Sequence, residues 1–302
     1  MAGPVSHLPF SGANTALITP FRDGAVDLAA FEKLVDWQIE QGIHGLVPVG
    51  TTGESPTLSH DEHDQVVESC VKTAAGRVPV IAGAGSNSTA ESVRLARHAE
   101  QVGADAVLVV SPYYNKPSQG GLAAHFRAVA EAISIPLIIY DIPGRSVVRV
   151  ADATLAELAE IDNIVGIKDA TAECARPTRL LGKAGPDFCQ LSGEDATMLP
   201  YLAAGGHGVI SVLSNIAPRQ VSQLQEAFFA GDMAKAQQLN EALIDLADAL
   251  FVEPSPGPVK YAGSLIGLCT PDLRLPLVEI SRPTQELLQA AMRRAGLTFS
   301  AD

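Results

Sequence analysis

Residues 137–169 read LIIYDIPGRSVVRVADATLAELAEIDNIVGIKD, one whole unit of the chain. A short apolar run, Leu137–Tyr140, leads through a Pro143-Gly144 turn and a helical stretch to a second apolar run, Ile164–Ile167, which closes on Lys168. Both runs are apolar throughout rather than alternating, as suits strands covered on both faces. The unit recurs in both directions. Thr15–Thr19, Gly45–Val49, Val80–Gly83, Ala106–Val110, Cys189–Ser192 and Gly208–Val212 are further runs of this kind, most of them spaced by the roughly 30 residues of a βαβ unit. Helical patterns fill the gaps. Leu28, Phe31, Leu34, Val35 and Ile39 form an apolar stripe after the N-cap candidate Asp27, and Ser59 with Glu62 and Ser88 with Glu91 have capping-box spacing. Eight strand–helix units in about 230 residues predict an α/β fold, the (β/α)8 TIM barrel, with an open doubly wound sheet as the alternative. From about Asp232 the strand signal ends. Met233–Leu250, the stiff Pro254-Ser-Pro-Gly-Pro258 segment and Gln285–Ala295 predict an appended helical domain. The expected organisation is a catalytic barrel over 1–231 and a C-terminal α-helical domain over 232–302.

Composition narrows the partners. The 302 residues are 47% hydrophobic and 18% charged, enough to bury a large core, which excludes a disordered reading. With 21 basic against 34 acidic residues the net charge is −13; such a surface repels phosphate backbones and anionic lipid heads, so neither nucleic acid nor membrane is expected. No apolar run approaches the ~20 residues of a membrane span, and Met1–Phe10 lacks the basic-then-apolar order of a signal peptide. Cys70, Cys174, Cys189 and Cys269 have no paired spacing, so reduced thiols in a cytoplasmic protein are the expectation.

In a barrel the active face lies at the C-terminal tips of the strands. Those tips carry Thr51, Thr52, Tyr113, Tyr114, Tyr140, Lys168, Glu194 and Ser211. Burial at the end of an oily strand disfavours the charged form of an amine, and a neutral amine is a nucleophile toward a ketone. Periodicity alone fits better a lysine that snorkels from the strand end or pairs with Asp169 or Asp141. Tyr140, one repeat earlier, would lie beside Lys168 on the adjacent strand, as a proton relay or simply as a core aromatic. Gly50-Thr-Thr-Gly-Glu-Ser55 follows a strand and precedes a capped helix, which fits a small anion nest and a plain tight turn equally; it lacks the Walker spacing and lysine. Arg145 offers a planar fork for a carboxylate, or is a surface arginine. Gly83-Ala-Gly-Ser-Asn-Ser88 is a defective dinucleotide fingerprint without its third glycine or an acidic residue at the next strand tip. His60 and His63 lie three apart with no third ligand suggested by spacing, so no metal is expected.

Together Gly50–Ser55, Ser111-Pro-Tyr-Tyr-Asn-Lys-Pro117, Tyr140–Arg145, Gly166-Ile-Lys-Asp-Ala-Thr171, Gly206-His-Gly-Val-Ile-Ser211 and Phe251–Lys260 resemble the dihydrodipicolinate synthase / N-acetylneuraminate lyase family of Schiff-base barrels, over nearly the whole chain. Sialic acid lyases usually carry serine at the position of Thr51 and lack an arginine like Arg145, so the likeness is to the synthases. The resemblance implies that Lys168 forms an imine with pyruvate, that Tyr140 donates and accepts protons, and that Thr51 links Tyr140 to a Tyr114 supplied by a neighbouring subunit. It implies Thr52, Ile210 and Gly193 around pyruvate, and Arg145 on the carboxylate of L-aspartate 4-semialdehyde. No metal or organic cofactor is implied, because the imine is the electron sink. A feedback site for L-lysine is implied at Ser55, Pro56, His60, His63, Asn87, Glu91 and Tyr113, with proline where alanine is more usual. A homotetramer built as a dimer of dimers, in lysine and diaminopimelate biosynthesis, completes the picture. Asp141, Gly144 and Ser146 stand where asparagine, serine and threonine are common, in the loop that would meet the second substrate. The alternative within the fold is a pyruvate-dependent aldolase or dehydratase acting on a 2-keto-3-deoxy sugar acid.

Overall fold

Among the described residues ten strands run in chain order: β1 Gly12–Ala16, β2 Phe21–Arg22, β3 Ala25–Val26, β4 Gly45–Val47, β5 Ile81–Gly83, β6 Ala106–Val110, β7 Leu137–Asp141, β8 Ile164–Asp169, β9 Cys189–Ser192 and β10 Gly208–Ser211. The computed structural model describes residues 6–299, so the start of Met1–Phe10 and the outer ends of the two expected domain ranges lie outside the described residues. Eight strands pair in parallel in the order β4-β1-β10-β9-β8-β7-β6-β5, and a bridge from Leu46 to Val80 joins the two ends of that row. The closed ring rules out the open doubly wound sheet. β2 and β3 form a separate antiparallel hairpin too short for a periodic signal.

The strands fall where their apolar runs predict, except the first. β1 is Gly12–Ala16, not Thr15–Thr19, because its polar member Asn14 lies wholly buried inside the barrel, where its amide donates to the Phe10 carbonyl at 2.9 Å. The chain then leaves the ladder, and Asn215 accepts the Ile18 N–H at 3.0 Å and donates to the Ala16 carbonyl at 2.7 Å.

The helices are α1 Leu28–Glu40, α2 His60–Ala74, α3 Thr89–Gln101, α4 Gln119–Ala130, α5 Pro143–Ser146, α6 Asp152–Leu158, α7 Arg176–Ala184, α8 Met198–Ala203, α9 Pro218–Phe229, α10 Met233–Ala249, α11 Gly257–Leu265 and α12 Arg282–Arg294. Asp27 caps α1 through the Ala30 N–H, and Ser59 with Glu62 closes a full capping box on α2. The box expected at Ser88 does not form. Glu91 instead engages His60 at 2.7 Å and the Ser86 hydroxyl, so its carboxylate has no reach left for the helix start. α11 begins inside the segment read only as stiff; Pro258 sits in its first turn, where a missing N–H is no loss. α10 packs on α9, and α12 on α10 and α11.

Inside the ring Val47, Ile81, Leu108, Ile138, Leu191 and Ile210 form one cluster, joined by Leu8 and Phe10 from just before β1. Leu46, Val107, Ile139, Ile167 and Val209 face the other way, against the helices. This alternation puts Tyr140 and Lys168 on the inner wall and Asp141 and Asp169 outside. Among the described residues no helix is long and apolar enough to cross a membrane, and all four cysteines are free thiols.

Candidate active site

β7 and β8 are neighbours with Tyr140 opposite Lys168 in register, so the Lys168 Nζ lies 4.2 Å from the centroid of the Tyr140 ring. Each residue is 5% exposed. The following rung, Asp141 opposite Asp169, faces outward, where Arg176 of α7 takes both carboxylates at 2.7 and 3.1 Å. Pairing of Lys168 with either aspartate is thus corrected: both are committed on the far side of the wall, and among the described residues no carboxylate lies within salt-bridge distance of Lys168. An amine held on an aromatic face without a counter-ion suits covalent chemistry on a ketone.

Half-buried Glu194, at the tip of β9, has its carboxyl pushed up by burial and by Asp195, against the pull of Lys168 and Arg145. Asp195 is fully enclosed; it accepts the Ser211 hydroxyl at 2.5 Å and the N–H groups of Val212 and Leu213 at 3.0 and 2.9 Å, which fixes the tip of β10. The β9–β10 ladder stops at Val209 opposite Ser192, while β1–β10 continues to Ser211, so the wall parts between Ile210 and Gly193. A Cβ on Gly193 would lie 2.8 Å from that of Ala170.

The loop after β4 turns through Val49 at φ +49° and Glu54 at φ +54°. The Gly53 and Glu54 N–H groups donate to the carbonyls of Gly50 and Thr51, both at 3.1 Å, and that of Ser55 to Gly50 at 3.4 Å. Three amides of the expected nest are therefore consumed within the turn. Those of Gly50, Thr51 and buried Thr52 find no acceptor among the described residues, and any anion site narrows to these three amides. Gly83 and Gly85 serve packing instead: a Cβ on either would meet backbone of a neighbouring strand or loop, Val49 O or Val110 N, at 2.4 Å. That explains the glycines of the defective fingerprint without a nucleotide.

A cavity of about 400 Å³ opens on this face, within the size range of small-molecule sites. Thr51, Tyr140 and Arg145 line it together with Ser55, Pro56, His60, His63, Glu91 and Tyr113. Lys168, Thr52, Ile210 and Gly193 are not among its walls; Tyr140 connects Lys168 to it. Asn87 also lies outside, its carbonyl accepting from Asn115 at 2.8 Å. Arg145, exposed on α5, pairs with no carboxylate among the described residues. Tyr114 is 89% exposed at φ +69°, away from the cavity. Ser86 and then His60 hold the Glu91 carboxyl below its ordinary value. His63 is buried with neither ring nitrogen hydrogen-bonded, and burial pulls it down to about 4. Among the described residues no cluster of three or more His, Cys, Asp or Glu is arranged to hold a metal ion.

Two features carry no sequence signal. Arg176 looks like an ordinary arginine at a helix start. Glu54 and Lys260 both fall within quoted motifs, yet nothing in their spacing links residues 206 apart; in the fold they form a buried 2.6 Å ion pair.

The dihydrodipicolinate synthetase family profile matches residues 9–295. A 4-hydroxy-tetrahydrodipicolinate synthase of Methylobacterium radiotolerans is 61% identical over 286 residues, covering 95% of this chain and 96% of its own. Among solved structures, the chloride-inhibited dihydrodipicolinate synthase of Acinetobacter baumannii complexed with pyruvate superposes with a TM-score of 0.93 at 44% identity, over 96% of this chain and 100% of that one. The DHDPS of Cyanidioschyzon merolae with lysine bound gives 0.93 at 39%, over 96% and 99%.

Proposed function

The chain belongs to the dihydrodipicolinate synthetase family, and we propose that it is a lyase condensing pyruvate with L-aspartate 4-semialdehyde on the path to diaminopimelate and lysine. The observation that carries this reading is the unpaired Lys168 amine on the face of Tyr140, with both neighbouring aspartates turned away to Arg176. The Lys168 amine adds to C2 of pyruvate, and loss of water leaves a protonated imine. That imine withdraws electrons, so a methyl proton passes to the Tyr140 oxygen and an enamine forms. Its carbon attacks the aldehyde of the semialdehyde, whose oxygen takes a proton and becomes a hydroxyl. The substrate's own amine then attacks the imine carbon, closes the ring and releases Lys168. The imine is the electron sink, so this route needs no bound cofactor.

Thr51 relays protons between Tyr140 and Tyr114 of a neighbouring subunit in a dimer of dimers. The 89% exposure of Tyr114 supports a place at a subunit contact; sedimentation velocity giving a monomer at working concentration would remove this part. Thr52, the Ile210 backbone and Gly193 surround the pyruvate carboxylate, and the open amides of the two threonines support that assignment. Arg145 holds the carboxylate of the semialdehyde by a bidentate fork. L-Lysine binds at Ser55, Pro56, His60, His63, Asn87, Glu91 and Tyr113.

Borohydride reduction in the presence of pyruvate tests the reading. A mass tag is expected on the peptide bearing Lys168, with tag and turnover both lost in Lys168→Ala. Arg145→Ala is expected to keep the tag while KM for the semialdehyde rises at least about tenfold, the loss of one charged hydrogen-bonding pair. A tag on another residue sinks the mechanism; turnover of 2-keto-3-deoxy sugar acids in place of the semialdehyde sinks the substrate.

A further inference from the structure

Arg176 is fully buried on the outer side of the barrel wall. Its Nη1 donates to Asp141 at 2.7 Å and Asp169 at 3.1 Å, its Nη2 to the Val150 carbonyl at 2.6 Å and its Nε to Asp152 at 3.1 Å. Asp141 and Asp169 form the rung of the β7–β8 ladder directly after Tyr140 and Lys168. Val150 and Asp152 follow α5, the turn bearing Arg145. The carboxylates are held from other sides as well. Asp141 accepts the Val150 N–H at 3.1 Å, and Asp169 accepts the Thr171 N–H and hydroxyl at 3.0 and 2.7 Å and the Tyr201 hydroxyl at 3.4 Å. Like charges directly opposite on paired strands repel, and Arg176 is the one cation bridging both among the described residues. Burial pushes the Asp141 carboxyl up against the pull of Arg176, and Arg176, despite its own desolvation, is held charged by Asp169 and Asp141.

We propose that Arg176 is a positioning residue for the condensation: by bridging Asp141 and Asp169 it fixes the offset between the Lys168 amine and the Tyr140 phenol, and through Val150 and Asp152 the stance of the Arg145 turn. It touches no substrate. The inference rests on reading Lys168 and Tyr140 as the imine-forming and proton-transferring pair. Lysine cannot stand in for it, because a compact ammonium lacks the fork that reaches two carboxylates and a carbonyl together.

The test compares Arg176→Lys and Asp169→Asn with the unaltered chain. Active sites are counted by pyruvate trapped on Lys168 with borohydride, so misfolded chains drop out of the rate. Misplacing reacting groups by about 1 Å can slow a reaction about 10²-fold. Arg176→Lys is therefore expected to lower kcat per trapped site by about ten- to a hundredfold, with KM for pyruvate moving less than about threefold. Asp169→Asn is expected to act in the same direction by a smaller factor, and it decides the matter if Arg176→Lys does not fold. A kcat per trapped site within about twofold of the unaltered chain in the folded variants overturns the proposal. Failure of the unaltered chain to trap pyruvate on Lys168 is a different result, which overturns the underlying reading and the inference with it.

Discussion

Glu91 owes its character to its neighbours. Freed from a helix start and held ionised by Ser86 and His60, it offers the cavity a fixed negative charge. Buried His63, pulled down to about 4, is neutral at pH 7 and sets no like charge against an incoming ammonium. Glu91→Gln is therefore expected to weaken L-lysine binding at least about tenfold, the worth of one charged hydrogen bond, while pyruvate trapping on Lys168 stays intact. Calorimetry showing equal lysine affinity in the two proteins would place the inhibitor elsewhere. At this scale the sequence carries Lys168, Tyr140, Thr51 and Arg145 because a barrel concentrates polar groups at strand tips. Choosing between a reactive and a paired Lys168 needs the direction in which Asp141 and Asp169 point. That depends on both strands running on to Asp141 and Asp169, so that alternation turns these two outward, and on Arg176, which no local pattern ties to them.

Besides the packing of α10 on α9, the helical region is tied to the barrel by a buried ion pair. Lys260 of α11 reaches Glu54 in the loop after β4, both side chains essentially fully buried, and its ammonium lies 4.1 Å from the centroid of the Phe21 ring. Glu54 also accepts the Arg274 N–H at 3.1 Å. Burial pulls the Lys260 amine down, and Glu54 opposes that pull. Removing one partner strands the other as a buried charge, so Lys260→Met is expected to destabilise the fold by about 3–5 kcal/mol. Adding Glu54→Gln should recover part of that loss. Denaturant unfolding of both variants measures it, and a Lys260→Met effect below about 1 kcal/mol, the typical size for any substitution, would show the clamp to be idle. Elements as such are legible wherever periodicity is long: α1, α2, α10 and seven barrel strands begin within about two residues of their patterns, inside the usual boundary error. β1 slips because Asn14 is polar yet buried, and α11 hides behind its prolines. The clamp joins residues whose proximity only the closed barrel creates.

Across the whole molecule, acid acts on several imidazoles that burial draws down, among them His44, His207, His63 and His125. His63 and His125 are both drawn by desolvation to about 4, from an ordinary value of 6.5. Below pH 6.5 the unfolded chain takes up protons that the native protein refuses until about 4, so stability falls as pH drops through that window. His63 and His125 each contribute a loss on the order of 3 kcal/mol. Asp141, Glu194 and Asp195 are pushed up by burial and bind protons more tightly when folded, which offsets part of the fall. The net curve mixes these signs, so a single histidine has to be isolated by difference. His125 suits this: its Nδ1 lies 2.9 Å from the Thr89 hydroxyl, its Nε2 is buried with no partner, and it lies outside the cavity. His125→Gln removes one proton site from both states. Its thermal midpoint is expected to draw closer to, or pass, that of the unaltered chain as pH falls from 6.5 to about 4. Two midpoint curves that stay parallel across the window would mean that His125 protonates equally well folded and unfolded, which its enclosed, unpartnered Nε2 forbids.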